Sequence, residues 1–145
     1  MDAAEIREHA LAKPGAWFDT PWEDDSVVKV ASGDRARIFV FLGEDFIGVK
    51  AGLDREVADE WLVRYPDGAR VMPYLGRSGW NSLSLTGEIP DDELLDAVAE
   101  SYRLVVLART RDGRTGRDAT FAEIDRGQSL ARVRVYTTRT TVYPQ

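Results

Sequence analysis

Three short runs of alternating residues contain the side chains best suited to binding chemistry. Strict alternation along predicted strands 27–31, 36–42 and 46–51 places cations and rings on one face and aliphatic residues on the other. The predicted chemical face consists of Lys29, Arg37, Phe39, Phe41, Phe46 and Lys50. Platforms for single-stranded nucleic acid use this mixture, because cations meet phosphates while rings stack on bases. The more ordinary alternative is that a neighbouring segment covers the rings and that the cations keep an exposed face hydrated.

A second candidate site is the segment GRSGWN at residues 76–81. This flexible turn combines a cation, an indole and an amide, which together suit a planar or anionic ligand. The structural alternative is that Trp80 anchors the loop in the core and that Asn81 fixes the turn through backbone hydrogen bonds. The aromatic residues that could join Trp80 around a pocket are Trp17, Trp22 and Tyr74.

The rest of the composition argues against enzymes and metal sites. The 145 residues include no cysteine and one histidine, His9, so thiolate chemistry and histidine metal clusters are excluded. The sequence has no GxGxxG, P-loop, GxSxG or HExxH motif, and no carboxylate pair stands out for proton transfer. The acidic runs at 23–25 and 91–93 fit a solvated loop and a helix N-terminus better than a cation site. We therefore predict a non-catalytic protein with no cofactor and no metal.

The elements that must position these residues form an α+β pattern. A short helix capped by Asp2 precedes the three strands, and a helix capped by Asp54 follows them. Two further strands, at 70–74 and 80–86, precede a long helix that begins at Pro90. This order of helix, three strands, helix, two strands and helix predicts two layers. They are an antiparallel sheet of about five strands and helices packed on one of its faces.

Charge divides the chain near Arg109. The formal net charge is −6, yet residues 109–145 contain eight arginines against four acids, or +4, which leaves −10 for residues 1–108. The stretch RTRDGRTGRD is typical of a linker. We therefore predict an α+β domain at 1–108 and an Arg-rich C-terminal extension at 109–145, in which alternation over 132–137 indicates one strand.

Several segments of the sequence keep the order and approximate spacing of a known family over about residues 3–108. They are LAKPGAWFDTPW, VVKV, VKAGLDREVADEWL, GWNSLSLTGEIPDDEL and SYRLVV. On these segments the chain resembles the MmcQ/YjbR family of small bacterial proteins, whose fold is described as similar to CyaY/frataxin and to secretion chaperones. The resemblance implies this fold and a DNA-binding role through a double-wing arrangement of hairpins. The chain departs from the family pattern in its acidic charge and in the segment after Arg109.

Together these observations predict a non-catalytic binding module with DNA as its first candidate partner. The residues that would contact nucleic acid are Lys29, Arg35, Arg37, Lys50, Arg77, Trp80 and Asn81. The five cations would contact phosphates, and the other two residues would meet a base or sugar. The alternative is a module for a small molecule, peptide or protein that uses the open sheet face or the aromatic cluster.

We expect a cytoplasmic protein that does not enter a membrane and is a monomer or weak dimer. No apolar run approaches the roughly 18 residues of a membrane span. The N-terminal MDAAEIREHA lacks the apolar core of a secretory signal, and the absence of cysteine fits a reducing compartment. A strand at 130–136 could pair with its own sheet or with a second copy.

Overall fold

The computed structural model describes residues 1–22 and 25–111, which form three α-helices and a six-stranded sheet. The helices are α1 (Ala3–Leu11), α2 (Arg55–Arg64) and α3 (Asp91–Arg111). The strands are β1 (Ala16–Trp22), β2 (Asp25–Val30), β3 (Arg37–Leu42), β4 (Phe46–Lys50), β5 (Ala69–Val71) and β6 (Trp80–Ser84). All neighbouring strands pair antiparallel in the order β1-β2-β3-β4-β6-β5. The predicted α+β class with two layers is confirmed.

Local signals in the sequence set the helix boundaries. The Asp2 carboxylate accepts a hydrogen bond from the Glu5 backbone N–H, and the Glu5 carboxylate accepts one from the Asp2 N–H, both at 2.9 Å. The Asp54 carboxylate likewise accepts from the Glu56 N–H at 2.9 Å. These caps satisfy amide groups that have no partner inside α1 and α2. Helix α3 begins after Pro90 with acidic residues in its first turn, which the helix dipole favours.

The sheet face toward the helices is aliphatic. The strand register aligns Val28, Val40 and Val49 across β2, β3 and β4, and all three are fully buried. They pack in one cluster with buried residues of α1 and α3, including Ile6, Ala10, Leu94 and Val98. Burial of this apolar surface is the main force that holds the two layers together.

Strand β1 and a bulge in β3 differ from the predicted pattern. Residues 16–22 pair along β2, so the sheet gains a sixth strand at its edge. The pairs Val28↔Val40 and Lys29↔Ile38 leave Phe39 as the extra residue of a bulge. Phe39 is therefore fully buried and packs edge-to-face on Tyr102 of α3, with ring centroids 5.1 Å apart. The prediction that Phe39 lies on the chemical face is wrong, because the bulge interrupts strict alternation.

Helix α3 continues to Arg111, and residues 23, 24 and 112–145 lie outside the described part of the chain. The division into 1–108 and 109–145, and the strand in the extension, therefore stay predictions. Within the described residues, no helix combines the length and the apolar character needed to cross a bilayer.

Candidate functional site

The sheet face turned away from the helices presents rings and cations that pair with one another. The Lys29 Nζ lies 2.8 Å from a carboxylate oxygen of Asp19 and 5.3 Å from the centroid of the Trp17 ring. The hydrogen bond from Lys29 lowers the pKa of the Asp19 carboxyl. At the opposite edge of the sheet, in β5, the Arg70 guanidinium lies 4.2 Å from the centroid of the Phe46 ring. Lys29 and Arg70 thus each have a partner within the protein.

The turn between β2 and β3 contains two of the predicted phosphate contacts. Arg37 Nη1 donates hydrogen bonds to the carbonyls of Asp34 at 3.1 Å and Ala36 at 2.9 Å. Arg35 ends the short 3-10 turn Gly33–Arg35 and is exposed. Arg37 therefore fixes the shape of the turn, while the Arg35 guanidinium is accessible to solvent.

Lys50 is a buried cation at the end of β4. Its side chain is 6% exposed, and Nζ donates a hydrogen bond to the Ser78 carbonyl at 2.5 Å. Burial lowers the pKa of the Lys50 ammonium to about 8, although the nearby Asp54 carboxylate opposes this shift. The Lys50 ammonium therefore supports a neighbouring loop from inside the protein.

Trp80 and Asn81 of the GRSGWN segment point into the protein. Trp80 is 4% exposed, and its ring packs edge-to-face on Phe41 with centroids 5.6 Å apart. Asn81 is fully buried, and its amide nitrogen donates to the Ala58 carbonyl at 2.9 Å. The Asn81 amide oxygen accepts from Arg55 Nη2 at 2.8 Å. Both side chains thus have the anchoring and hydrogen-bonding roles of the structural alternative.

The segment between β5 and β6, residues 72–79, is hereafter the 72–79 loop, and two cations hold it from inside. Lys50 binds the Ser78 carbonyl, and Arg55 Nη1 donates to the carbonyls of Gly76 at 3.0 Å and Trp80 at 3.1 Å. Gly79 closes the loop at φ +88°, where an added Cβ would collide with the backbone of Gly52. The loop backbone is therefore fixed at several points by buried or half-buried contacts.

Tyr74 projects from the outer side of this loop. Its side chain is 99% exposed, and its backbone has φ +67°, in the left-handed region that non-glycine residues seldom adopt. Arg77 of the same loop is also exposed. The exposed apolar side chains on the segments that contact the loop are Leu53, Val57 and Val71.

The structure separates the aromatic cluster that the sequence suggests. Trp80 is buried, Tyr74 is fully exposed and Trp17 is partly exposed beside Lys29. The side chain of Trp22 lies outside the described part. The sequence alone gives no signal for the exposure of Tyr74, because nothing in its neighbours distinguishes an outward ring from an inward one.

Acidic and basic residues are distributed unequally between the layers. The three helices contain ten acidic residues and six arginines, or −4. The strands contain Asp19 and Asp25 against Lys29, Arg37, Lys50 and Arg70, or +2. Across residues 1–22 and 25–111, no three His, Asp or Glu side chains converge where they could hold a metal ion.

Comparisons with known proteins find a matching family model and solved structures with a similar fold. A family model described as YjbR matches residues 11–104. The chain is similar to a solved Deinococcus radiodurans protein with a domain described as DUF419, at 19% identity and TM-score 0.67, over 92% of this chain and 90% of that one. It is also similar to a solved Pseudomonas syringae protein, at 18% identity and TM-score 0.56, over 72% of this chain and 98% of that one. At these identities the likeness concerns the fold alone, and no curated protein matches the chain.

Proposed function

The chain belongs to the YjbR family, and we propose that this member is a non-catalytic module that binds a protein partner through the 72–79 loop. The observation that supports this proposal best is Tyr74, whose side chain is almost wholly in solvent while its backbone is in a strained conformation. Such a conformation costs of order 1–3 kcal/mol, and residues that retain it cluster at binding and catalytic sites.

The loop around Tyr74 is organised before any partner arrives. Lys50 and Arg55 hold two of its carbonyls and that of Trp80 directly after it, and Gly79 packs on the backbone of Gly52. A surface that is already ordered loses little conformational entropy on binding, so its contacts contribute more fully to affinity. Tyrosine and arginine are also enriched among the residues that dominate binding energy, and Tyr74 and Arg77 are both exposed here.

The surroundings of the loop suit an apolar partner surface. Leu53, Val57 and Val71 each expose about half of their side chains on the segments next to it. The loop itself adds the exposed Tyr74 ring and the exposed Arg77 cation. Apolar regions with a polar border are typical of protein-binding sites.

DNA is the second candidate, and the distribution of charge favours it. The strands are net positive, while the helices are net negative with ten acidic residues and six arginines. Arg35, Arg70 and Arg77 are exposed in the strands or in the loops that join them. Opposing this candidate, Lys29, Arg37 and Lys50 have partners inside the protein.

Affinity capture with matched variants tests the protein-binding proposal. Wild-type protein, Tyr74→Ala, Arg77→Ala and a control Val63→Ala would be immobilised and exposed to an extract of cells that express the protein. Val63 is 80% exposed at the other end of α2, so its truncation removes a comparable apolar surface away from the loop. We expect a bound protein whose recovery falls about tenfold or more in the two loop variants and is unchanged in the control.

A salt titration with labelled single-stranded and duplex DNA separates the two candidates. If DNA is the partner, the logarithm of affinity falls linearly with the logarithm of salt concentration, with a slope set by the phosphates neutralised. In that case Arg35→Ala and Arg77→Ala weaken binding while Tyr74→Ala has less effect. Equal recovery of every captured protein by Tyr74→Ala and by wild type would rule out the protein-binding proposal.

A further inference from the structure

A cavity of about 340 Å³ that is wide open to solvent lies on the helix side of the sheet, between α1 and the turn that joins β3 to β4. Ala4 and Arg7 of α1 and Glu44 of the turn line it. Phe18 of β1 and Leu42 of β3 supply the apolar lining. The volume is at the lower end of the range for ligand pockets, so only a small molecule would fit.

Two opposite charges border this cavity without meeting each other. Among residues 1–22 and 25–111, neither Arg7 nor Glu44 belongs to an ion pair, although both line the same space. The Arg7 guanidinium instead lies over the Phe18 ring, 4.9 Å from its centroid. The ring thus orients a cation at the cavity wall and leaves its N–H groups available to an acceptor.

We infer that this cavity binds a small zwitterion with an apolar side chain, the chemical class of free aliphatic and aromatic amino acids. The Arg7 guanidinium pairs with the ligand carboxylate, for which its fork of N–H donors is well suited. The Glu44 carboxylate pairs with the ligand ammonium. The apolar side chain of the ligand lies against Phe18 and Leu42.

The lining disfavours ligands with a single charge. A simple anion would satisfy Arg7 but would also meet the Glu44 carboxylate, and a simple cation would meet the Arg7 guanidinium. A zwitterion offers an opposite charge to each of the two side chains. The site shares no residue with the 72–79 loop, so its test is independent of the proposed protein-binding function.

Calorimetric titration of the full chain with L-leucine and L-phenylalanine tests the inference. We expect saturable binding of at least one of them, weakened about tenfold or more for L-leucinamide and for N-acetyl-L-leucine, because each analogue lacks one of the two charges. Arg7→Gln should remove the preference for leucine over leucinamide, and Glu44→Gln the preference for leucine over its N-acetyl analogue. Ala4→Leu should weaken binding of all probes, because the larger side chain enters the cavity without changing charge.

Arg35→Gln and Asp45→Asn are the matched controls, because they remove an exposed cation and an acid adjacent to Glu44 that do not line the cavity. All altered residues are exposed, and circular dichroism would verify that each variant is folded. The inference is overturned if neither amino acid binds at up to about 10 mM. It is also overturned if Arg7→Gln, Glu44→Gln and Ala4→Leu bind as wild type does.

Discussion

Lys50 holds the 72–79 loop with a charge that the protein interior disfavours. Burial lowers its pKa from 10.5 to about 8, so between these values the unfolded chain binds a proton that the folded protein has released. The free energy of unfolding must therefore rise as pH increases through this window, by about 3 kcal/mol if Lys50 acts alone. The Lys50–Ser78 contact consequently forms at the cost of lower stability at neutral pH.

We expect the rise in the free energy of unfolding with increasing pH to disappear in Lys50→Met. Urea unfolding of wild type, Lys50→Met and the control Lys13→Met would measure it at pH 7.5, which is below the window, and at pH 10, which is in its upper part. Wild type and Lys13→Met should both gain stability over this interval. A gain of equal size in Lys50→Met would show that other groups cause it.

Asn81 links α2, β6 and Arg55 through a buried amide. Its truncation in Asn81→Ala leaves the Ala58 carbonyl and one Arg55 N–H without their partners in a buried region, which should cost about 2–3 kcal/mol. Asp59→Ala removes another Arg55 partner, but at an exposed position where the loss should be about 1 kcal/mol or less. Chemical unfolding of the two variants would compare them, and similar losses would contradict the structural role of Asn81.

Residue types indicated where the chain could bind something, but not which side chains point outward. The alternative interpretations of Trp80 and Asn81 could not be separated in sequence, because their burial depends on Phe41 and Arg55, which are distant along the chain. The same limit hid Tyr74 and the pairing of Lys29 with Asp19. Sequence patterning records local alternation, whereas partners are set by packing between elements.

Among the elements, the bulge in β3 has the largest effect on the predicted chemistry. A one-residue insertion in a strand moves side chains to the other face, and alternation alone does not reveal it. Caps at Asp2 and Asp54 act within a few residues, so the helix starts were predictable. Strand β1 was not, because Pro21 and polar residues interrupt its pattern and its pairing with β2 alone defines it.

Because of the bulge, we expect truncation of Phe39 and of Phe46 to lower the free energy of unfolding by unequal amounts, although strict alternation places both rings on one face. Phe39→Ala should destabilise the protein by about 3–5 kcal/mol, because it empties a fully buried site against Tyr102. Phe46→Ala should cost clearly less, since that ring is only partly buried beside Arg70. Thermal unfolding of both variants would measure the difference, and equal losses would contradict the register described here.

At the scale of the whole molecule, the described residues by themselves form two packed layers. Among the residues that the structure describes, the buried hydrophobic cluster extends from Ile6 to Val106. We therefore expect residues 1–111 to fold cooperatively without the C-terminal extension. Circular dichroism and urea unfolding of this fragment would check it, and light scattering beside the full chain would show whether the extension causes self-association. Broad, non-cooperative unfolding of the fragment would contradict the expectation.

The unequal charge of the helices and the strands gives the described part of the chain an electric polarity. Residues 1–111 alone, with negative helices and positive strands, should therefore adsorb on a positively charged resin or electrode with the helices downward. Adsorption in this orientation would leave the opposite side of the sheet facing the solution. The protein could then be arrayed in one orientation without a tag or a covalent linker.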